Sequence, residues 1–248
     1  MPEEALVLVA HGSADPRAAA AIGELMPLVA RRATERGLSV PDLRAAYLGH
    51  AAPSVPQVMR TFGPDAQVTV LPLLLTAAYH SKTDIPRVLA RAGTGGLNVT
   101  YGDPLGPHPL LLRALERRLP EAAFENPAGT GVVLAAAGSS DPEANATIAR
   151  LAARWQARTG WFAVRPAYAS AVGPAPAQAV TELRKAGARR VVVASYLLAP
   201  GLFADRIRDA SLAAGAAAVS PALGATPEVA DVVLDRYTQA GTRARAAA

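Results

Sequence analysis

The chain contains no cysteine. That excludes disulfides, thiolate metal sites and cysteine nucleophiles, and it agrees with a cytoplasmic address. Aromatic residues make up only 5% of the 248 positions, too few for the stacking platforms that single-stranded nucleic acids require. The net charge of +5 is spread over expected helix surfaces and forms no basic stripe, so nucleic acid is not an expected partner. No apolar run approaches the ~20 residues of a membrane helix. The Met-Pro-Glu-Glu start lacks the basic and apolar segments of a signal peptide, so no membrane is expected. What is abundant is small and apolar. Hydrophobic residues reach 51%, much of it alanine, enough for one large domain or two of about 125 residues.

The chain is organised around Leu6-Val7-Leu8-Val9-Ala10-His11-Gly12-Ser13-Ala14-Asp15-Pro16. Five apolar residues without alternation read as a strand buried on both faces of a parallel sheet. Asp-Pro then signals a helix start. His11 therefore stands at the carboxyl end of a strand, the edge at which open α/β sheets bind ligands. Further strands are expected over 43–48, 68–75 and 97–101, alternating with helices over 17–36, 54–62, 85–92 and 109–119. The pattern restarts after a linker-like stretch, 120–130, at four anchors in the same order. Ala137-Gly138-Ser139-Ser140-Asp141-Pro142 repeats the first loop, and Arg165-Pro166-Ala167-Tyr168 with Pro174 repeats Arg44-Ala45-Ala46-Tyr47 with Pro53. Val191–Leu198 with Phe203 repeats the third strand with His80, and Leu223-Gly224-Ala225-Thr226-Pro227 repeats Leu105-Gly106-Pro107-His108-Pro109. The chain is a tandem duplication of one βα domain, and the tail from Gly241 is expected to fray.

All four histidines, His11, His50, His80 and His108, lie in the first copy at strand exits or helix starts. The second copy has Ala137 and Phe203 in place of His11 and His80, as expected if a site is used once per duplicated chain. Two neutral imidazoles on neighbouring loops suit a borderline divalent ion such as iron(II), cobalt(II), nickel or zinc. With so few protein ligands, the ion is held transiently. Asp84 either orients His80 or is a first-turn acid favoured by the helix dipole. His108, between two prolines, reads as a turn residue. Gly-x-Ser-x-Gly, a phosphate-binding loop and a dinucleotide fingerprint are all missing.

His11-Gly12-Ser13-Ala14-Asp15-Pro16, His80-Ser81-Lys82-Thr83-Asp84-Ile85-Pro86 and Pro104-Leu105-Gly106-Pro107-His108-Pro109 together resemble the class II tetrapyrrole chelatases. The long, two-repeat sirohydrochlorin chelatases are the most similar members. The resemblance covers the first half well and the second as a degenerate copy. It implies two tandem flavodoxin-like domains, 1–122 with the metal histidines and 131–241 as the degenerate repeat, with a cleft between them. It implies insertion of a divalent metal, Fe2+ ahead of Co2+, into sirohydrochlorin for siroheme or cobalamin synthesis. His11 and His80 would be the metal-handling, catalytic pair, and no cofactor would be permanently bound. Ser13, Arg17, His50, Lys82, Asp84, Arg87 and Arg206 are the candidates for contact with the polycarboxylate substrate. Members usually carry an acid after the second strand, where this chain reads Tyr47-Leu48-Gly49-His50; either His50 takes over part of that role, or metal delivery and proton removal are weakened. The second half is expected to be a structural partner, and the chain a monomer. The competing reading is a non-catalytic metal or tetrapyrrole carrier of the same fold.

Overall fold

Buried apolar runs dictate the frame. β1 (Glu4–Ala10) is exposed at Glu4 and buried at every later position, because it lies inside a parallel sheet where neither face meets water. The computed structural model describes residues 4–40, 42–77, 83–92, 96–120 and 123–247. It contains two four-stranded parallel sheets, each flanked by helices. The first has the order β2-β1-β3-β4, from β2 (Asp42–Tyr47), β1, β3 (Gln67–Pro72) and β4 (Asn98–Tyr101). The second repeats it as β6-β5-β7-β8, from β6 (Ala163–Tyr168), β5 (Thr130–Ala136), β7 (Arg190–Tyr196) and β8 (Ala218–Val219). The register repeats as well: Ala10 pairs with Tyr47, and Ala136 with Tyr168.

Helices α1 (Pro16–Glu35), α2 (Val55–Met59), α3 (Ile85–Arg91) and α4 (Pro109–Arg118) follow the first four strands. Helices α5 (Pro142–Arg158), α6 (Pro176–Lys185), α7 (Leu202–Ala213) and α8 (Pro227–Ala247) follow the last four. α1 and α5 begin in the same way. Asp15 and Asp141 are N-caps whose carboxylates accept from Arg17 N and Glu143 N, each followed by proline, an arrangement that satisfies an orphan donor of the first turn. Val7, Val9, Met59, Val70, Ile85 and Leu89 share one core. Val133, Val180, Leu183, Val193 and Ile207 form its counterpart.

The chain divides into two compact units, and their limits differ from the sequence repeats by one helix each. One unit comprises Met1–Leu110 with Gly224–Ala248, the other Leu111–Leu223. In the first, α8 packs on α1, β3 and β4. Asp231 receives Arg32 in a two-pronged ion pair at 3.0 and 2.8 Å, and Asp235 receives Arg36 at 2.7 Å. In the second, Trp155 Nε1 of α5 donates to Glu116 Oε1 of α4 at 2.9 Å, and Arg118 donates twice to Leu223 O. The expectation of a frayed tail from Gly241 is corrected. α8 is helical to Ala247 because it lies along the first sheet, and Arg243 pairs with Asp103 at 2.7 Å. β3 is also shorter than expected, ending at Pro72. Its neighbour β1 ends at Ala10, and Leu73 N makes the last bond, to Val9 O at 2.8 Å.

Candidate functional site

The strands of the first sheet are parallel, so the turns after β1, β2 and β3 gather at one edge. The first two turns are clasped together. Leu48 N donates to Ala10 O at 3.0 Å and Gly49 N to His11 O at 3.1 Å. Gly12 lies at φ +86° with its α-carbon against the Gly49 carbonyl, leaving no room for a Cβ. Only glycine fits both the left-handed backbone and the close approach. The second unit builds the same clasp from Gly138 at φ +84° against the Ser170 carbonyl, with Ala169 N donating to Ala136 O at 2.9 Å. The turn belongs to the fold, and the first unit carries an imidazole on it where the second has Ala137.

His11 is exposed at the end of β1. Its Nδ1 lies 3.1 Å from Gly12 O. A carbonyl oxygen only accepts, so this contact is a hydrogen bond when Nδ1 carries the proton. In the neutral ring, Nε2 then holds the lone pair that a metal ion or a proton would take. His50 is exposed on the adjoining turn, in a left-handed conformation at φ 59°. Ala171 occupies the same conformation, φ 66°, in the second unit, so the loop geometry does not depend on the imidazole. The structure thus brings His11 and His50 onto adjoining, bonded turns. His80 and Lys82 lie outside the described residues.

The remaining candidates are less directly aimed at a ligand. Ser13 Oγ accepts from Asp15 N at 3.1 Å, and Ser139 Oγ accepts from Asp141 N at 3.0 Å. This bond is framework, common to both units. Arg17 is folded back on Asp15, with Nη2 2.5 Å from Oδ2 and Nε 3.0 Å from Oδ1. The Arg17 guanidinium, aided by the Arg17 backbone amide, holds the Asp15 carboxyl below its ordinary range. Asp84 is the N-cap residue of α3, with helical dihedrals. Arg87 is exposed one turn on, and Arg206 is exposed on α7 of the second unit. Tyr47, at the end of β2, is nearly buried, and desolvation pushes its hydroxyl up, so it stays protonated at neutral pH. Among the described residues, no three His, Asp or Glu side chains cluster as a metal cage. No described helix is long and apolar enough to cross a membrane.

His108 has a structural role beyond that of a turn residue. Its Nδ1 accepts from Leu110 N at 3.3 Å, capping α4, and its Nε2 lies 3.5 Å from Asp235 Oδ2. Arg236 of α8 donates to Leu105 O and Pro107 O on either side of the turn. Burial, with help from Arg236 and against Asp235, lowers the His108 pKa, so this ring is neutral at pH 7. Its partners come from α8, more than 120 positions away, and local spacing carries no trace of them.

Comparison with known proteins places these features in a family context. The CbiX family model matches residues 5–122 and again 131–240. The chain is 29% identical over 213 residues to a sirohydrochlorin cobaltochelatase of Priestia megaterium, covering 83% of this chain and 68% of that protein. It is 26% identical over 211 residues to a sirohydrochlorin ferrochelatase of Bacillus subtilis (strain 168), covering 83% and 78%. Its fold is that of SirB from Bacillus subtilis with Fe3+, with a TM-score of 0.80 at 24% identity over 98% of both chains.

Proposed function

The chain belongs to the CbiX family, and from that membership we propose that it is a sirohydrochlorin chelatase, inserting Fe2+ or Co2+ into the ring for siroheme or cobalamin synthesis. The metal is a substrate, delivered and released in each cycle. The cytoplasm is its proposed place of action, and the monomer its proposed state. The observation that supports the reading best is an imidazole at the strand-exit edge of one unit, on a turn that the other unit keeps intact with alanine.

Insertion requires three things of the protein. Water must leave the metal, two pyrrolic protons must leave the ring, and the metal must be released to ring nitrogens that bind it more strongly. A neutral imidazole with Nδ1–H on the Gly12 carbonyl presents Nε2 to the metal. Once the metal departs, the same lone pair is available to a pyrrolic proton. His80, between β3 and α3 in sequence, is proposed as the second such group, with Asp84 near it in sequence as its orienting acid. His50, next to the Gly49 amide that donates to the His11 carbonyl, is proposed to take over part of the role of the acid that relatives carry at the position of Gly49. Lys82, Arg87 and Arg206 are proposed to meet substrate carboxylates. Ser13 and Arg17 act by holding the turn and Asp15 in place.

The purified protein should be mixed with a tenfold excess of sirohydrochlorin and iron(II) under anaerobic conditions, and the absorbance change followed. Repeated turnovers above the spontaneous rate are expected. A change that stops at one equivalent per chain would make the protein a carrier.

A further inference from the structure

The two units repeat one frame, but they treat its arginines differently. In α1 and α5, Asp15 and Asp141 are the caps, and Ile22, Leu25 and Val29 are buried where Ile148, Leu151 and Trp155 are. In α8 and α4, Arg236 donates to Leu105 O as Arg118 donates to Leu223 O. The first unit neutralises the arginines of this frame. Arg32 of α1 pairs with Asp231 of α8 at 2.8 Å, and Arg44 Nε of β2 donates to Asp42 Oδ1 at 3.0 Å. The second unit keeps the cations and loses the acids. Arg158 stands at the position of Arg32, and Arg113 at that of Asp231. Arg165 stands at the position of Arg44, and Ala163 at that of Asp42. Arg154 is exposed one turn before Arg158. Among the described residues, no acid pairs with Arg113, Arg154, Arg158 or Arg165.

Between these arginines the surface is hollow. Met26, Pro27 and Arg31 of α1 are replaced on α5 by Ala152, Ala153 and Ala157. With Ala149 of α5 and Val164 and Pro166 of β6, these alanines line a groove of about 500 Å³. Gln156 Oε1 accepts from Val164 N at 2.9 Å and ties the helix to the strand along the floor. Arg165 borders the groove on its β6 side. Arg154 and Arg158 follow Ala153 and Ala157 by one step round the helix, so they border it on the α5 side. The result is an alanine floor with unpaired cations along both borders.

That pattern discriminates among occupants. A second copy in two-fold contact would set arginine against arginine. A nucleic acid would use the arginines and leave the alanine floor empty. A lipid surface calls for bulky apolar side chains. An added β-strand is disfavoured by Pro166, which offers no N–H on β6, an edge strand of its sheet. A helix with small or aliphatic residues on one face and Asp or Glu along both borders complements the floor and the charges together.

We infer that the α5–β6 groove of the second unit is the docking site for an acidic amphipathic helix of another protein, its carboxylates held by Arg113, Arg154, Arg158 and Arg165. None of these residues belongs to a strand-exit loop, and the inference stands apart from the chelatase reading.

The probe is a fluorescein-labelled helical peptide of about 16 residues, matched to the length of α5. It carries leucine and alanine on one face and glutamate along both borders, and binding is followed by fluorescence anisotropy. Wild type should bind it at least about tenfold more tightly than the same peptide with lysine for glutamate, and less tightly as salt rises. R154E/R158E should weaken binding by about tenfold or more. A153W, which fills the groove and leaves the charges, should weaken it to a similar extent. R150A, at an arginine already paired with Glu143, should bind within about threefold of wild type. All the altered side chains are exposed, so circular dichroism should report an unaltered fold. Undiminished binding in R154E/R158E or in A153W overturns the inference, as does a wild type that does not distinguish the two peptides. Displacement of the peptide by polyglutamate, duplex DNA or phosphatidylserine vesicles at equal charge would assign the arginines to polyanions in general and refute it. A dimer in sedimentation that R154E/R158E abolishes would assign the groove to a second copy and refute it as well.

Discussion

Replacing Gly12 by alanine separates what the turn does for the fold from what it does for the chemistry. The new methyl group would sit at φ +86° and inside the contact distance of the Gly49 carbonyl. The left-handed backbone costs an L-residue ~1–2 kcal/mol. The carbonyl must also retreat by on the order of 1 Å, loosening the Gly49 N–His11 O bond of 3.1 Å at a cost of ~1 kcal/mol. Together these give about 2–3 kcal/mol, a fall in Tm of roughly 4–12 °C for a chain of this size. The second unit supplies an internal control. Gly138→Ala meets the same obstacle, the Ser170 carbonyl, at φ +84°, and should lose a similar amount of stability. Their effects on insertion should diverge. Gly12→Ala displaces His11 relative to His50, and a misplacement of ~1 Å in a reacting group costs up to about a hundredfold in rate. Gly138→Ala moves only Ala137 and should insert metal within about twofold of wild type. Thermal unfolding and initial insertion rates, both measured below the lower Tm, decide the matter. Equal activity losses in the two variants, or none in Gly12→Ala, would refute the assignment of the working site to the first unit.

Other outcomes follow from single contacts. His80→Ala should reduce insertion to the spontaneous rate with an unchanged circular dichroism spectrum. His108→Ala should insert metal normally but lose ~1 kcal/mol in urea denaturation, because it removes the cap of α4. Glu116→Leu should cost ~1–2 kcal/mol in the same experiment, since it orphans the Trp155 indole N–H in a side chain only 1% exposed. Burial holds the His108 pKa below its ordinary value of 6.5, so the unfolded chain takes up this proton first. Stability is therefore fully present above that value and lost as the pH falls below it. His108→Asn, which keeps an acceptor for Leu110 N, should be less sensitive than wild type when denaturation is compared at about pH 7.5 and about pH 5.5; equal losses in the two proteins would discount His108.

The strands were legible because burial on both faces of a parallel sheet writes itself as unbroken apolar runs such as Leu6–Ala10. The duplication was legible because both copies need the same N-cap, the same glycine clasp and the same loop after the second strand. The placement of His11 at the carboxyl edge of the first sheet followed from the run ending where it does. What local pattern could not carry was anything settled by distant sequence. The tail from Gly241 looks like a fraying end until α8 is seen lying on α1 and β4. His108 looks like a bare turn until Asp235 and Arg236 arrive from the far end of the chain.

The central claim is that the first-unit imidazole at position 11 performs metal insertion. Steady-state insertion of iron(II) into sirohydrochlorin by wild type and by His11→Ala, each with substrate in about tenfold excess, tests it most directly. The account predicts many turnovers by the wild type and the uncatalysed rate from His11→Ala, with the two proteins equally stable and equally able to bind metal-free sirohydrochlorin. Turnover by His11→Ala at the wild-type rate would contradict it.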